Sequence, residues 1–291
     1  MIRRISNAYL SVSAADMGAE LQSVLAADGT EFIWQGDGRF WADRAPNLFP
    51  FTGRLIGGRY EMDGREYSMR IHGLTPYAAF REKYNDGTRL VMELESGEET
   101  MAVYPRHFVF QVIYELEENM LRVCYRVENR DTRAMFFGLG GHPGFNVPLE
   151  KGLRFEDYRL RFEPCAPKRV LFSPDCFVSG EAAPFPLEPG YTLPLRHGLF
   201  DDDAIFLEDA GRSVTLESAI GRASVTLSFP QMSYFGVWHM PGTDAPYVCL
   251  EPWCSLPARV NMPTVFETHP GLIRLEPDAV YENRWSITFN T

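Results

Sequence analysis

The sequence predicts an all-β fold, a large single-domain antiparallel β-sandwich with few short helices. Three observations support this prediction: apolar and polar residues alternate over many segments, 21 prolines and 24 glycines interrupt the chain, and helical spacing is rare. Many short strands separated by turn residues are typical of sandwiches and barrels. No linker-like composition divides the 291 residues, so we expect one domain over residues 1–291.

The clearest predicted element is a long hairpin. Apolar residues occupy every second position in residues 108–116 and again in residues 121–127, with polar residues between them in the second segment. Such alternation is typical of a strand that buries one face. Glu117-Glu118-Asn119 supplies the turn, so the two segments are expected to pair antiparallel.

The remaining elements follow from the same signals. Asp63-Gly64 favours a tight turn, which predicts a second hairpin over residues 59–67. Residues 222–229 and 284–289 alternate like strands. Residues 98–104 can form a short helix that ends before Pro105. A further helical turn is expected over 37–42, and the proline-rich stretch 177–196 is expected to be a long loop.

Composition restricts the partners. The net charge is −11 and no Lys/Arg-rich run occurs, so nucleic acid and anionic membranes are not expected partners. No signal-peptide core or membrane-length apolar run is present. Five cysteines, an odd number without a C-x-x-C pair, fit reduced thiols better than a disulfide framework. We therefore expect a cytoplasmic protein.

One histidine stands in a constrained setting after a predicted strand over residues 135–139. The segment Gly140-Gly141-His142-Pro143-Gly144-Phe145-Asn146 holds it. Glycine permits close backbone approach, and Pro143 restricts His142 to extended angles. Imidazole titrates near neutrality, so His142 on a stiff corner suits proton transfer. The alternative is a turn in which the histidine only caps the strand end.

Four further segments carry candidate site residues: Arg54 after a glycine, His72 before a glycine, the run Asp201-Asp202-Asp203, and Glu251 before Pro252-Trp253. Arg54 could equally be a surface cation, His72 a hydrogen-bonded histidine, and the aspartates a solvated loop. Glu251 is harder to explain in this way, because a carboxylate at the end of an apolar strand is costly to bury without partners.

Two histidines and a glutamate make a candidate acid/base set, beside an arginine and an aspartate that suit hydroxyl groups. Phe49, Phe145 and Trp253 are expected to form aromatic walls against which a sugar ring could pack. The sequence has no H-x-H, H-E-x-x-H, P-loop, dinucleotide fingerprint or G-x-S-x-G elbow. We therefore expect neither a metal nor another cofactor.

In the order and composition of these motifs, the chain resembles the aldose 1-epimerase (galactose mutarotase-like) family. The likeness is strongest to its divergent bacterial branch with the Gly-Gly-His-Pro-x-Phe-Asn motif. It runs from Asn7-Ala8-Tyr9-Leu10 to Trp285-Ser286-Ile287-Thr288-Phe289, and so covers nearly the whole chain. The resemblance implies a galactose mutarotase-like supersandwich with a shallow sugar cleft on one face.

The resemblance also implies roles for individual residues. Glu251 matches the general base, His142 the general acid, and His72 the second active-site histidine. Arg54 matches the sugar-contacting arginine, and the hydroxyl-binding aspartate matches Asp203 best, with Asp202 next. The chain departs from the branch at Leu74-Thr75-Pro76 and over residues 254–259, which puts the identity of the sugar in doubt more than the chemistry.

The implied activity is interconversion of the α and β anomers of a free aldohexose. A base removes the proton of the C1 hydroxyl while an acid protonates the ring oxygen, which requires two groups expected on opposite sides of the anomeric centre. The alternatives are a mutarotase for a sugar 6-phosphate, or a sugar-binding or regulatory module with the same cleft. A small-molecule sugar is the expected partner, and the chain is expected to be a monomer or a weak homodimer.

Overall fold

Antiparallel strands are the main secondary structure of the chain. The computed structural model describes residues 1–291. The strands in chain order are β1 (Ile2–Ser6), β2 (Leu10–Ala15), β3 (Leu21–Ala26), β4 (Asn47–Leu48), β5 (Arg59–Met62), β6 (Arg65–Ser68), β7 (Arg81–Asn85), β8 (Arg89–Glu95), β9 (Phe108–Glu117), β10 (Met120–Asn129), β11 (Met135–Phe137), β12 (Gly140–Gly141), β13 (Gly144–Asn146), β14 (Tyr158–Phe162), β15 (Lys168–Phe172), β16 (Val178–Pro184), β17 (Thr192–Pro194), β18 (Ile205–Glu208), β19 (Ser213–Ser218), β20 (Ser224–Ser228), β21 (Tyr234–Trp238), β22 (Tyr247–Trp253), β23 (Ile273–Leu275) and β24 (Val280–Asn290). The helices are α1 (Glu98–Val103) and the 3₁₀ turns Ile56–Gly58, Thr75–Tyr77, Phe155–Asp157 and His197–Phe200.

Two large sheets dominate the architecture. The nine-stranded sheet has the order β17-β14-β19-β20-β24-β10-β9-β8-β7. The eight-stranded sheet has the order β16-β15-β18-β21-β22-β12-β4, and β13 also pairs with β22. Three small sheets, β1-β2-β3, β5-β6 and β11-β23, complete the fold.

The long hairpin predicted from alternation is confirmed. β9 and β10 pair antiparallel, with Leu121 opposite Leu116 and Asn129 opposite Phe108. The hairpin over residues 59–67 corresponds to β5 and β6, and the short helix over residues 98–104 corresponds to α1. Residues 222–229 and 284–289 contain β20 and most of β24.

The single helical turn predicted over residues 37–42 is confirmed, because the backbone N–H groups of Phe40 and Trp41 both donate to the carbonyl of Asp37. One local prediction was wrong. The stretch 177–196 is not a loop throughout, because it contains β16 and β17. Both strands lie at a sheet edge, where a proline that cannot donate to a neighbouring strand is tolerated.

The inner faces of the two large sheets share one core. A cluster of 65 buried residues includes Phe110 and Tyr125 from the nine-stranded sheet and Phe235 and Leu250 from the eight-stranded sheet. Burying one such side chain contributes about 1.5–3 kcal/mol. The β-sandwich prediction is therefore confirmed. None of the helices has the length and apolar character that crossing a bilayer requires.

Candidate active site

The candidate site lies on the outer face of the eight-stranded sheet, over β22. Successive side chains of a strand point to opposite faces. Val248 and Leu250 belong to the sandwich core, so Cys249, Glu251 and Trp253 point to the other face. All of these residues are buried, because loops from other parts of the chain cover this face.

A glycine in the neighbouring strand makes room for the carboxylate. Gly236 of β21 lies directly opposite Glu251 in the strand register. A Cβ atom at Gly236 would lie 2.7 Å from the Phe206 ring and 3.0 Å from the Glu251 Cβ, whereas ordinary contacts begin at 3.4 Å. The absence of a side chain at position 236 therefore leaves the space that the Glu251 side chain needs.

His142 reaches the same spot from the segment that follows β12. Its backbone N–H donates to the Pro46 carbonyl at 3.0 Å, and its Nε2 lies 3.3 Å from Oε2 of Glu251. The two groups are thus in direct contact, and not on opposite sides of a sugar as expected. Adjacent groups still suit ring opening, because the C1 hydroxyl oxygen and the ring oxygen are both bonded to C1.

Burial determines the protonation of this pair. His142 is 8% exposed and Glu251 is 1% exposed. Burial lowers the pKa of His142 to about 4. Burial, followed by the charge of Asp203, raises the pKa of Glu251 well above its usual range. The ligand-free pair therefore favours a neutral imidazole and a protonated carboxyl, with Nε2 and Oε2 3.3 Å apart.

Two further atoms of the pair are buried without a partner. Nδ1 of His142 and Oε1 of Glu251 form no hydrogen bond. A buried polar atom left unsatisfied costs about 1–3 kcal/mol. Such a cost is commonly tolerated where a ligand or reaction uses the group.

His72 lies beside this pair as a neutral donor. Its ring is 5.3 Å from the His142 ring, centroid to centroid. The Gly53 backbone N–H donates to its Nδ1 at 3.2 Å, so the neutral ring carries its proton on Nε2. Burial lowers the pKa of His72 well below its usual range, and the charges of His142 and Arg54 lower it further. His72 is therefore suited to donate a hydrogen bond rather than a proton.

The backbone around His72 is held in an uncommon conformation. His72 has φ +66°, a left-handed value that costs a non-glycine residue of order 1–3 kcal/mol. The next residue, Gly73, has φ +85°, and a Cβ there would collide with the Phe49 carbonyl. That carbonyl accepts the N–H groups of Leu74 and Thr75, which fixes the turn that presents His72.

Asp203 is oriented by three donors. Trp238 Nε1 donates to its Oδ1 at 2.8 Å, the Ala204 backbone N–H donates to the same oxygen at 3.0 Å, and the Cys176 thiol donates to its Oδ2 at 2.8 Å. Asp203 also has a left-handed φ of +72°. Its charge acts on Glu251. Asp202, by contrast, is exposed and its side chain forms no hydrogen bond or ion pair.

The other predicted sugar contacts are distributed unequally. Arg54 is exposed and close enough for its charge to lower the pKa of His72. The Trp253 ring centroid lies 5.8 Å from His72 and 6.4 Å from His142, so it walls the acid/base group. Phe145 was predicted to contact the sugar, but it is 0% exposed and packed in the main core. Phe49 is buried there too, stacked on Phe110.

Sequence reasoning missed two tryptophans of the site. The Trp41 ring centroid lies 5.0 Å from that of His142, and the Trp238 centroid lies 5.9 Å from it. Trp41 and Trp238 also pack edge-to-face. Trp238 could have been found from strand periodicity, since it alternates with Gly236 on the outer face of β21.

The family model of aldose 1-epimerase matches residues 1–288 of the chain. The chain therefore belongs to the aldose 1-epimerase family.

Individual relatives cover the chain from end to end. A galactose mutarotase related enzyme from Lactobacillus acidophilus shares 32% identity, covering 100% of this chain and 98% of its own, with a TM-score of 0.94. A galactose mutarotase-like protein from Lactobacillus casei shares 31% identity, covering 99% and 100%, also with a TM-score of 0.94. Protein LacX (chromosomal) of Lactococcus lactis is 28% identical, covering 99% of each chain.

Proposed function

We propose that this protein is a mutarotase that interconverts the α and β anomers of a free aldohexose. The observation that carries the proposal is the contact between His142 Nε2 and Glu251 Oε2 at 3.3 Å, both buried. At such a contact a proton can pass from one group to the other directly, without an intervening relay. Membership of the aldose 1-epimerase family supports the same class of reaction. We further propose that residues 1–291 act as one domain.

In the proposed reaction the bound sugar excludes solvent from the pair, and the Glu251 proton passes to His142 against the pKa order of the empty site. Glu251 is then a carboxylate and His142 an imidazolium, which are the forms that a base and an acid require. Glu251 removes the proton of the C1 hydroxyl and His142 protonates the ring oxygen, so the ring C1–O bond breaks. Rotation about C1–C2 and reversal of both transfers closes the ring as the other anomer. Positioned proton transfer of this kind contributes roughly 10²–10⁴-fold.

The neighbouring groups are assigned to binding and orientation. His72, with its proton on Nε2, donates to a sugar oxygen, and Asp203 accepts from a sugar hydroxyl. Arg54 contacts the sugar from the rim, and Trp253 closes one side. The exposed position of Asp202 argues against it as the hydroxyl-binding aspartate, which leaves Asp203.

Charge favours an unphosphorylated sugar over a sugar 6-phosphate. Arg54 shares a surface depression of about 460 Å³ with Asp175, and the charge of Asp203 acts on Glu251. The side chain of Arg70 is stacked over the Tyr77 ring, 3.7 Å from its centroid. A phosphate dianion beside Arg54 would also face the Asp175 carboxylate, and like charges repel.

The proposal is tested by NMR exchange spectroscopy of anomer interconversion. Unphosphorylated aldohexoses and their 6-phosphates are compared, with the spontaneous rate subtracted. Acceleration of one or more free aldoses, and a weaker effect on the 6-phosphates, is expected. Binding of aldoses without any acceleration would instead indicate a sugar-binding module.

A further inference from the structure

A third group that the proposed chemistry does not use lies beside the acid/base pair. Cys249 precedes Glu251 by two residues in β22, so both side chains point to the same face of the sheet. Cys249 is 0% exposed, and its sulfur has no hydrogen-bond partner in the structure. One ligand atom each of His142, Cys249 and Glu251 lie within 4.8 Å of one another.

These three donors form a mixed nitrogen, sulfur and oxygen set. Zn²⁺ and related borderline ions bind imidazole, thiolate and carboxylate together, whereas Mg²⁺ and Ca²⁺ prefer all-oxygen sites. Bonds of roughly 2.0–2.3 Å place tetrahedral ligand atoms ~3.3–3.8 Å apart. Closing a separation of 4.8 Å to that range requires the two atoms to approach by about 1–1.5 Å.

Two observations indicate that the set would accept a cation. Oε1 of Glu251 and Nδ1 of His142 are buried without a partner, so each residue has a polar atom that an ion could satisfy. The sulfur of Cys249 is buried beside them and is likewise without a hydrogen bond.

We propose that His142, Cys249 and Glu251 form a binding site for Zn²⁺ or a similar thiophilic divalent ion, and that the bound ion inhibits the protein. Binding breaks the S–H bond of Cys249 and the O–H bond of the protonated Glu251 carboxyl, and both protons are released to solvent. A sulfur–metal bond and a carboxylate–metal bond form, and His142 contributes a nitrogen lone pair. Thiolate and carboxylate together balance the charge of the ion.

Inhibition follows because the ion occupies both members of the acid/base pair. A nitrogen lone pair bound to a metal cannot hold a proton, and a bound carboxylate is a poor base. The ion and the sugar therefore compete for the same groups. This effect is distinct from catalysis, for which no metal is invoked, and metal binding itself can be measured whether or not the proposed mutarotase activity is found.

The first test uses Co²⁺ as a spectroscopic probe on the chelator-treated, full-length protein. A thiolate-to-metal charge-transfer band in the near ultraviolet is expected, and saturating aldose should weaken it. C249S should lose the band. C124S is the matched control, because Cys124 lies on β10 of the other large sheet, and it should keep the band. A band unaffected by C249S, or no band in the wild-type protein, would overturn the site.

The second test uses Zn²⁺ inhibition of anomer exchange. The inhibition constant in C249S should rise by about 10-fold or more, since even indirect partners of a metal site contribute 10–100-fold. Activity without Zn²⁺ should change little, because Cys249 has no assigned role in the reaction. If C249S folds poorly, C249A serves in its place. Equal inhibition of wild type and a folded Cys249 variant would refute the assignment.

Discussion

The strand register around Glu251 makes one substitution particularly informative. Gly236→Ala adds a single methyl group opposite the carboxylate. The new Cβ would lie 0.7 Å closer to the Phe206 ring, and 0.4 Å closer to the Glu251 Cβ, than an ordinary contact allows. The backbone of Gly236 has no left-handed φ, so the effect comes from crowding and not from backbone strain.

The expected losses of rate and stability follow from these two short distances. A misplacement of about 1 Å can cost 10²-fold in rate, so a shift of ~0.4 Å at Glu251 is expected to lower kcat about 5- to 10-fold. Overpacking against Phe206 is expected to destabilise the fold by about 1–3 kcal/mol. The double variant Gly236→Ala/Phe206→Leu should recover part of both losses, because leucine is smaller than phenylalanine and relieves the closer of the two contacts.

Anomer exchange by NMR gives the rate, and urea unfolding gives the stability. Gly38→Ala is the matched control, since a Cβ at Gly38 meets nothing within 4 Å and its φ is not left-handed. It should leave both quantities unchanged. Full activity in Gly236→Ala, at an unchanged stability, would refute the argument that this glycine positions the base.

Three further outcomes are expected. Trp238→Phe removes one of the N–H groups that orient the Asp203 carboxylate, and a hydrogen bond to a charged group contributes about 1.5–3 kcal/mol. KM should therefore rise by about 10-fold or more, with a smaller change in kcat. An unchanged KM would exclude Trp238 as the residue that positions Asp203 for the sugar. Glu251→Gln should melt at a higher temperature than wild type, and the difference should grow as pH rises. The folded-state pKa of Glu251 is raised, so the protonated carboxyl stabilises the wild-type fold fully below the unfolded-state pKa, and this stabilisation is lost as pH rises through the folded-state pKa. If calorimetry over that pH range shows a constant difference in melting temperature, the raised pKa is contradicted. Treatment with a strong chelator should not lower the activity, and a loss reversed by one particular ion would contradict metal-independent catalysis.

Much of the fold could be predicted because strand burial is a local property. Alternation along residues 108–127 reflects which side of each strand faces the core, and that pattern survives in the finished sandwich. The edge strands β16 and β17 were missed for the opposite reason. An edge strand needs only one paired side, so prolines and exposed residues do not exclude it.

The candidate site was harder to predict from sequence. The segments carrying His142, His72, Asp203 and Glu251 stood out through their glycines and prolines, and the structure brings these four residues together. Their mutual distances depend on long-range packing, so the direct contact of His142 with Glu251 was not foreseen. Phe145 was misassigned because side-chain direction in a three-residue strand cannot be read from alternation.

The metal-ligating set illustrates the same limit. Sequence motifs for metals rely on ligands at short, regular spacing. Here Cys249 and Glu251 are two residues apart, but His142 comes from another strand segment more than a hundred residues earlier. The pairing of β12 and β13 with β22, which puts Gly140 opposite Trp253 and Gly144 opposite Cys249, brings that segment to the sulfur.

Anomer exchange catalysed by Glu251→Gln tests the proposed role of Glu251 as the base most directly. The amide keeps the shape of the carboxyl and its place beside His142, but it cannot accept the proton of the C1 hydroxyl. With the spontaneous rate subtracted and folding verified, we expect a loss of about 10²-fold or more in kcat. Turnover near the wild-type rate in Glu251→Gln would contradict the assignment of Glu251 as the base.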